Sequence, residues 1–308
     1  MTSRACPPVL LCALVAAATL HGSSLQSPPP QSGQAFRAAA DVVSVEVSVR
    51  RDKRSVVGLT AADFDVLDNG VPQQIDTLSY EKLPIDVTVA LDVSASVTGP
   101  ILDQLRRSVR QLQPDLSSRD RLKLIAFNMR VLRLVDFHAA GSVSDNALGS
   151  LPAAGSSAIF DTLAVALAGA SSAGRRNLII VFTDGKDSAS VTDPEGLLEI
   201  ARRTTPTVAA VLASTIPEQP SSTFGPLPFV PIRDLYDRLA RETGGAVVYT
   251  RADDDLSSTF RRVLSEFRSS YVLYFAPRGV EPSGFHTLDV KVKQPGVEVR
   301  ARRGYAWR

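Results

Sequence analysis

Three oxygen-bearing side chains stand at alternate positions directly after an apolar segment of this 308-residue chain. Residues 85–96 read IDVTVALDVSAS and end in Asp92, Ser94 and Ser96. The apolar part of the segment is short enough for a buried strand. In an open parallel sheet, ligands bind outside the carboxyl ends of the strands. The three oxygens are therefore candidates for holding a metal ion.

Two further loops carry similar chemistry. Gly155-Ser156-Ser157 precedes a segment with helical spacing, and Thr183-Asp184-Gly185 closes the apolar run NLIIVFT. A DxSxS pattern alone is a weak signal, because Asp and Ser are also common helix caps. Parallel strands wound side by side would bring all three loops to one edge of a sheet, and that combination is more specific.

The elements that would position these loops alternate between strands and helices from Ile85 to about residue 270. This alternation predicts an α/β fold, with a doubly wound, mostly parallel sheet flanked by helices. The segment 131–137 is predicted to be the antiparallel neighbour of a strand at 121–127. Residues 214–231 are rich in Pro and Ser and are predicted to be a long surface insertion.

Segments in which apolar and polar residues alternate, as in half-buried strands, are found at both ends of the chain. Val43–Val49 alternates with polar residues, Asp68-Asn69-Gly70 predicts a hairpin turn, and a returning strand is predicted at 74–80. A further strand is predicted at 297–303. Too few strands lie at either end to bury a core alone. We therefore expect the N- and C-terminal strands to meet in one small sheet or sandwich. The predicted domains are an N-terminal β module at 41–82, the α/β domain at 83–270 and C-terminal strands at 271–308.

The first 24 residues have the pattern of an export signal. A positive residue precedes an apolar core, Val9–Leu20, that is too short to span a bilayer, and small residues follow it. An uncleaved N-terminal anchor is the alternative. Residues 25–40 are predicted to be a disordered, Pro-rich linker. Since Cys6 and Cys12 both lie inside the signal, the mature chain would have no disulfide, thiolate ligand or cysteine nucleophile. We expect a periplasmic or extracellular protein without a membrane span.

Composition and motifs disfavour two classes of function. The net charge is only +2 and the charges are interspersed, so no nucleic-acid surface is indicated. GxSxG, P-loop and HExxH motifs are absent from the sequence. His138 and His286 lie outside the three loops. We therefore predict that the protein is not an enzyme.

The three loops together resemble the von Willebrand factor A (VWFA) domain, whose metal-ion-dependent adhesion site takes a DxSxS motif, a Thr and an Asp. GSS at 155–157 stands where that family usually has GGT, so the hydroxyl is kept. LTAADFDVLDNGVPQQI at 59–75 and the closing RRGYAW are similar to the VWFA-related proteins common in Acidobacteria. The resemblance covers residue 40 to the end. It implies five metal ligands: Asp92, Ser94, Ser96, Ser157 and Asp184.

All five ligands are oxygen donors, which favour Mg²⁺, or Mn²⁺ or Ca²⁺, over Zn²⁺. The resemblance implies a metal-dependent adhesion or protein-binding function, with a partner that presents an acidic residue. Two alternatives remain: an envelope protein whose metal loop staples the fold, and a metal-dependent hydrolase. Asp187 is expected to be a solvated loop acid, with a position behind the metal ligands as the alternative, and Asp161 is expected to be a first-turn helix acid. Asp253–Asp255 are also expected to be acids at a helix start.

Overall fold

Strands and helices alternate along the middle of the chain, and strands occupy both ends of its described part. The computed structural model describes residues 42–81, 83–97, 99–139, 153–169, 174–213, 232–251 and 254–307. The predicted signal, linker and insertion, together with Asp253, lie outside these residues. The strands are β1 (Val43–Arg51), β2 (Arg54–Ser55), β3 (Phe64–Asp68), β4 (Val71–Gln73), β5 (Thr77–Tyr80), β6 (Ile85–Asp92), β7 (Arg121–Phe127), β8 (Val131–Ala139), β9 (Arg176–Thr183), β10 (Thr207–Ala213), β11 (Ala246–Thr250), β12 (Tyr271–Phe275), β13 (Gly284–Val292), β14 (Glu298–Ala301) and β15 (Gly304–Trp307). The helices are α1 (Pro100–Leu112), α2 (Ile159–Ala168), α3 (Pro194–Arg203), α4 (Ile232–Thr243) and α5 (Leu256–Arg268).

The central sheet has the strand order β11-β10-β9-β6-β7-β8. Its neighbours pair in parallel except β8, which runs antiparallel to β7 as predicted. Every residue of β6 and of β9 is buried, because helices cover both faces of the sheet. The predicted fold class, an α/β fold with a mostly parallel sheet between helices, is confirmed.

Successive side chains of β6 point to opposite faces of the central sheet and pack in two separate cores. Val87, Val89 and Leu91 pack with α1 and α5 on one face. Ala90 lies on the other face, in the core formed with α2, α3 and α4. In the described ranges, no helix combines the length and the hydropathy that crossing a membrane would require.

The terminal strands form two antiparallel sheets. One has the order β14-β1-β12-β5, with β2 also paired to β1, and the other has the order β15-β13-β3-β4. Val47, Phe64, Leu273 and Phe275 are buried in the core that these strands share. Each sheet combines strands from both ends of the chain, which confirms the sandwich expected alongside the α/β fold.

One predicted strand belongs to a different sheet from the one expected. The chain returns from the hairpin in β4, which pairs with β3 and ends before the return predicted at 74–80; that segment instead contains β5, which pairs with β12. The prediction of 74–80 as the hairpin return is wrong because the alternation of side chains identifies an inner face without identifying which sheet the strand joins. The strand predicted at 297–303 is present as β14, which pairs with β1, and the closing residues form a separate strand, β15, which pairs with β13. The hairpin turn is confirmed, with positive φ at Asn69 (47°) and Gly70 (82°).

A buried arginine joins the sandwich to the central sheet. Arg176 begins β9, and its Nε and Nη2 donate to the two carboxylate oxygens of Glu46 on β1 at 3.1 and 3.0 Å. Its guanidinium lies 4.3 Å from the ring centre of Phe267 on α5. The Arg176 side chain is only 2% exposed. One side chain therefore links three elements across the junction.

Asp120, before β7, should make stability sensitive to acid. Its side chain is fully buried and accepts hydrogen bonds from Ile85 N, Ser117 N and Arg268 Nη2 at 2.7–2.8 Å. Burial alone would raise the pKa of Asp120, but the hydrogen bonds from Ile85, Arg268 and Ser117 hold it below the usual value. The charged carboxyl therefore stabilises the fold above its unfolded pKa of about 3.9, and this contribution is lost as the pH falls further.

We expect the urea midpoint to fall as the pH drops below about 4, and to fall less steeply in Asp120→Asn. The measurement is urea unfolding followed by circular dichroism across this pH range. Parallel pH curves for the two proteins would contradict the role given to Asp120.

Candidate metal centre

The three loops singled out in the sequence meet at the carboxyl edge of the central sheet. β6 ends at Asp92 and its neighbour β9 ends at Thr183. The second loop is tied to the segment after β6 by two backbone hydrogen bonds, Ala95 N to Gly155 O and Ala154 N to Val93 O, both 2.9 Å. The parallel pairing of β6 and β9 thus places residues 91 positions apart beside one another.

Asp92 is the buried centre of this edge. It is 0% exposed, and its Oδ1 accepts a hydrogen bond from Ser94 N at 2.8 Å. Its Oδ2 accepts from Thr183 Oγ1 at 2.7 Å and from Ser157 Oγ at 3.2 Å. Burial raises the pKa of the Asp92 carboxyl and nearby Asp184 adds to the rise, while the bonds from Ser94 and Thr183 oppose it. The site therefore holds a buried acid that a cation would stabilise as a carboxylate.

Ser96 is the one exposed residue among the five predicted ligands. Ser94 is buried, and its Oγ lies 3.0 Å from Oγ of the exposed Ser96. Asp184 is 6% exposed and its Oδ1 accepts from Lys186 N at 3.1 Å. Among the described residues, Asp184 makes no hydrogen bond to the other four candidates. It joins them through the preceding residue, Thr183, whose role on Asp92 the sequence did not reveal.

Asp187 ties the third loop to the second. Its Oδ1 accepts from Ile159 N, the first residue of α2, at 2.8 Å and from Ser190 Oγ at 2.6 Å. Ser157 N donates to Ser188 Oγ at 3.0 Å, and Ser188 N donates back to Ser157 O at 2.8 Å. The expectation of a solvated loop acid is therefore wrong, because the carboxylate satisfies amides at the helix start.

Asp161 makes the opposite connection. It lies in the first turn of α2, as expected, and accepts from Val191 N at 3.0 Å and Thr192 N at 2.8 Å. Burial alone would raise the pKa of Asp161, but these bonds lower it overall. Asp187 and Asp161 thus clamp α2 and the third loop together, which holds Ser157 in place.

The donor set fits a hard divalent cation. Two carboxylates and three hydroxyls supply oxygen alone, and neither Asp92 nor Asp184 forms an ion pair with a described residue. Tyr236 on α4 adds a buried hydroxyl without a hydrogen-bond partner in the described part of the chain. Burial raises its pKa, and Asp187, Asp92 and Asp184 raise it further. No group of three or more His, Cys, Asp or Glu within the described ranges is placed to hold a metal, so the site depends on its hydroxyls.

The sequence of the central region matches the family model of the von Willebrand factor type A domain over residues 86–219. Residues 86–219 are a von Willebrand factor type A domain. The matched part begins in β6 and contains Asp92, Ser157 and Asp184. Such domains are generally interaction modules rather than enzymes, and they often bind a divalent cation at a metal-ion-dependent adhesion site.

Several solved structures are similar to this chain. A von Willebrand factor type A protein from Catenulispora acidiphila is 14% identical, with 88% of this chain and 75% of that chain covered and a TM-score of 0.49. An aerotolerance-related membrane protein from Bacteroides fragilis is 19% identical, covers 59% of this chain and 98% of its own, and has a TM-score of 0.43. BatB, a conserved hypothetical protein from Bacteroides thetaiotaomicron, is 17% identical over 59% and 98%, with a TM-score of 0.45. No curated protein matches the sequence.

Proposed function

We propose that this protein binds a divalent cation at Asp92, Ser94, Ser96, Ser157 and Asp184, and uses it to bind an acidic residue of a partner protein. The observation that carries the proposal is the convergence of Ser157 and Thr183 hydroxyls on the buried Asp92 carboxylate. This convergence joins three loops of a domain whose family consists of interaction modules. Mg²⁺ is the first candidate, with Mn²⁺ and Ca²⁺ as alternatives.

Each residue has a distinct part in the proposed site. Asp92 and Asp184 supply the negative charge, and the hydroxyls of Ser94, Ser96 and Ser157 supply neutral oxygens. When bound, a divalent cation held by two carboxylates keeps Lewis acidity for an incoming carboxylate. Ser96 is exposed, so a partner can approach the site from solvent. Because hydrogen bonds already order the three loops, less conformational entropy is lost when the cation and the partner bind.

The two alternatives have less support. A cation that only staples the fold would need no exposed ligand, whereas Ser96 faces solvent. A hydrolase would need a base near the cation. His286 is buried in the sandwich, where its Nδ1 lies 2.8 Å from Asp68 Oδ1, and His138 lies at the edge strand β8 with Nδ1 2.8 Å from Asp136 O. Protein binding is therefore the function that this site favours.

Export to the periplasm or the extracellular space is part of the proposal, as is membership of the VWFA-related group common in Acidobacteria. The signal-like pattern of residues 1–24 supports export, and the flanking motifs at 59–75 and 302–307 support the group. An exported metal-dependent binding module would act on other proteins of the cell envelope or its surroundings.

Calorimetric titration of Mg²⁺ and Mn²⁺ into the purified protein tests the metal site. We expect saturable one-site binding that weakens at least roughly tenfold in Ser157→Ala, because an oxygen donor is lost. Ser156→Ala is the matched control, since Ser156 is the exposed neighbouring serine outside the ligand set. The absence of binding in the wild type, or equal losses in both variants, would contradict the proposal.

Partner capture from an envelope extract should be sensitive to EDTA, because the partner is expected to bind through the cation. Capture that EDTA leaves unchanged would remove the cation from the mechanism.

A further inference from the structure

Two exposed apolar side chains lie on loops at the carboxyl edge of the central sheet, beside the proposed metal site. Met129, in the turn after β7, is 61% exposed, and Val191, in the loop after β9, is 94% exposed. Isolated exposed apolar residues are common on protein surfaces. These two differ because hydrogen bonds fix the backbone that carries each of them, and because both loops also hold the candidate ligands in place.

The turn of Met129 is braced against the second loop. Asn128 Oδ1 accepts from Arg130 N at 3.0 Å, and Asn128 Nδ2 donates to Ala154 O at 2.9 Å. Ala158 N, one residue after Ser157, donates to Asn128 O at 2.8 Å. A Cβ on Gly155 would lie 3.6 Å from Met129 Sδ, so the thioether lies against this loop. Met129 is therefore presented beside Ser157 by a turn that is already ordered.

Val191 is presented in the same manner on the other loop. Its backbone N donates to Asp161 Oδ2 at 3.0 Å, and the next residue, Thr192, donates to Asp161 Oδ1 at 2.8 Å. Two hydrogen bonds to the Asp161 carboxylate fix the backbone, while the Val191 side chain extends into solvent. An apolar group on an ordered loop can dock without the entropy cost of ordering that loop.

Two exposed basic side chains lie on these loops. Arg130 and Lys186 are exposed, and neither forms an ion pair with a described residue. Of the acids on the loop after β9, Asp184 is buried, Asp187 accepts hydrogen bonds from backbone amides, and the exposed Asp193 caps the start of α3. The edge therefore combines the proposed cation site with two basic side chains that are unpaired among the described residues and with two apolar side chains, which together are complementary to an acidic and apolar segment.

We propose that this edge docks a partner segment in which an acidic residue has a bulky aliphatic or aromatic residue beside it. The inference rests on the proposed function, because the acidic residue is the one expected to reach the cation. Met129 and Val191 contact the apolar neighbour, and Arg130 and Lys186 attract the acidic charge. Met129 suits this role because its flexible, polarizable side chain adapts to ligands of different shape.

Selection from a random heptapeptide library displayed on phage tests the inference. Phage are bound to the purified protein in Mg²⁺ and eluted with EDTA. We expect enriched peptides to carry Asp or Glu with Leu, Ile, Met, Phe, Tyr or Trp within two positions. A fluorescein-labelled copy of the most enriched peptide should bind roughly tenfold more weakly to the double variant Met129→Ser/Val191→Ser, by fluorescence anisotropy. Val57→Ser is the control, because Val57 is 64% exposed and precedes β3, outside the loops of this edge.

Calorimetric Mg²⁺ titration of the double variant separates this inference from the metal site on which it rests. Unchanged Mg²⁺ affinity with weakened peptide affinity supports the docking edge. Enrichment of acidic residues without apolar neighbours, or equal peptide affinity for the double variant and wild type, overturns the docking edge while the cation site stands. A wild type that binds no divalent cation overturns the proposed function, and the docking edge with it.

Discussion

Asp92→Asn is expected to abolish the stabilisation that Mg²⁺ gives to the wild-type protein. Asparagine keeps the shape of the side chain but removes the charge from the buried centre of the three loops. At a free Mg²⁺ concentration about one hundred times its dissociation constant, the wild type should gain about 2.7 kcal/mol of unfolding free energy. The variant should gain none. Thermal unfolding in EDTA and in excess Mg²⁺ measures both values.

The same substitution should raise stability when no metal is present. A buried carboxylate without a cation partner is costly, and a neutral amide removes that cost. Asp92→Asn should therefore unfold at a higher temperature than wild type in EDTA, which separates loss of the metal from loss of the fold. Asp65→Asn is the matched control, because its carboxylate lies on β3 in the sandwich and is 58% exposed. An Asp92→Asn protein that still responds to Mg²⁺ would show that the cation binds elsewhere.

Arg176→Met should destabilise the protein by about 3 kcal/mol, because breaking a buried ion pair leaves the other charge unpaired. For a domain of this size, that loss lowers Tm by roughly 8 °C. Burial raises the pKa of Glu46, and Arg176 and Arg302 oppose the rise. Without Arg176 the folded-state pKa of Glu46 rises further, so the penalty applies above the unfolded pKa of about 4.3 and shrinks as the pH falls below the raised value. Thermal unfolding near pH 7 and near pH 4.5 measures both effects.

The double variant Glu46→Gln/Arg176→Met provides the control for this prediction. It removes both charges, so it should recover part of the stability that Arg176→Met loses. Recovery would identify the unpaired Glu46 as the source of the loss. If the double variant is as unstable as Arg176→Met at both pH values, the contacts of Arg176 with Phe267 matter more than the charge pair.

Local signals in the sequence were sufficient to predict the helices and the central sheet. The bounds of α3 follow from Pro194 at its start and from Asp193, whose side chain accepts a hydrogen bond from Gly196 N. The unbroken apolar run of β9 predicts a strand buried on both faces, which the structure has. The division of the terminal strands between two sheets was not predictable, because a strand in either sheet shows the same alternation of inner and outer side chains.

The candidate site was visible in the sequence only as far as its loops. Asp92, Ser94 and Ser96 form a local pattern, and the strand ends that carry Ser157 and Asp184 follow from the alternation of elements. The hydrogen bonds by which Asp187 and Asp161 join α2 to the third loop were not predicted, because their donors and acceptors are remote in sequence. Ile159 is 28 residues from Asp187, and Thr192 is 31 residues from Asp161. No local motif marks a carboxylate that caps the backbone of another loop.

The insertion of the α/β domain between strands of the sandwich has a mechanical consequence. The chain leaves the sandwich after Tyr80 of β5 and re-enters at Tyr271 of β12, and these two residues are paired with each other. Tension applied by a partner held at the far edge of the central sheet would pull both connections from the same end. Such a load reaches the sandwich along β5 and β12, and on β12 it is resisted by the five-residue antiparallel register with β1, from Val43 opposite Phe275 to Val47 opposite Tyr271. The strands would be loaded in shear, with their hydrogen bonds sharing the force, rather than opened one bond at a time.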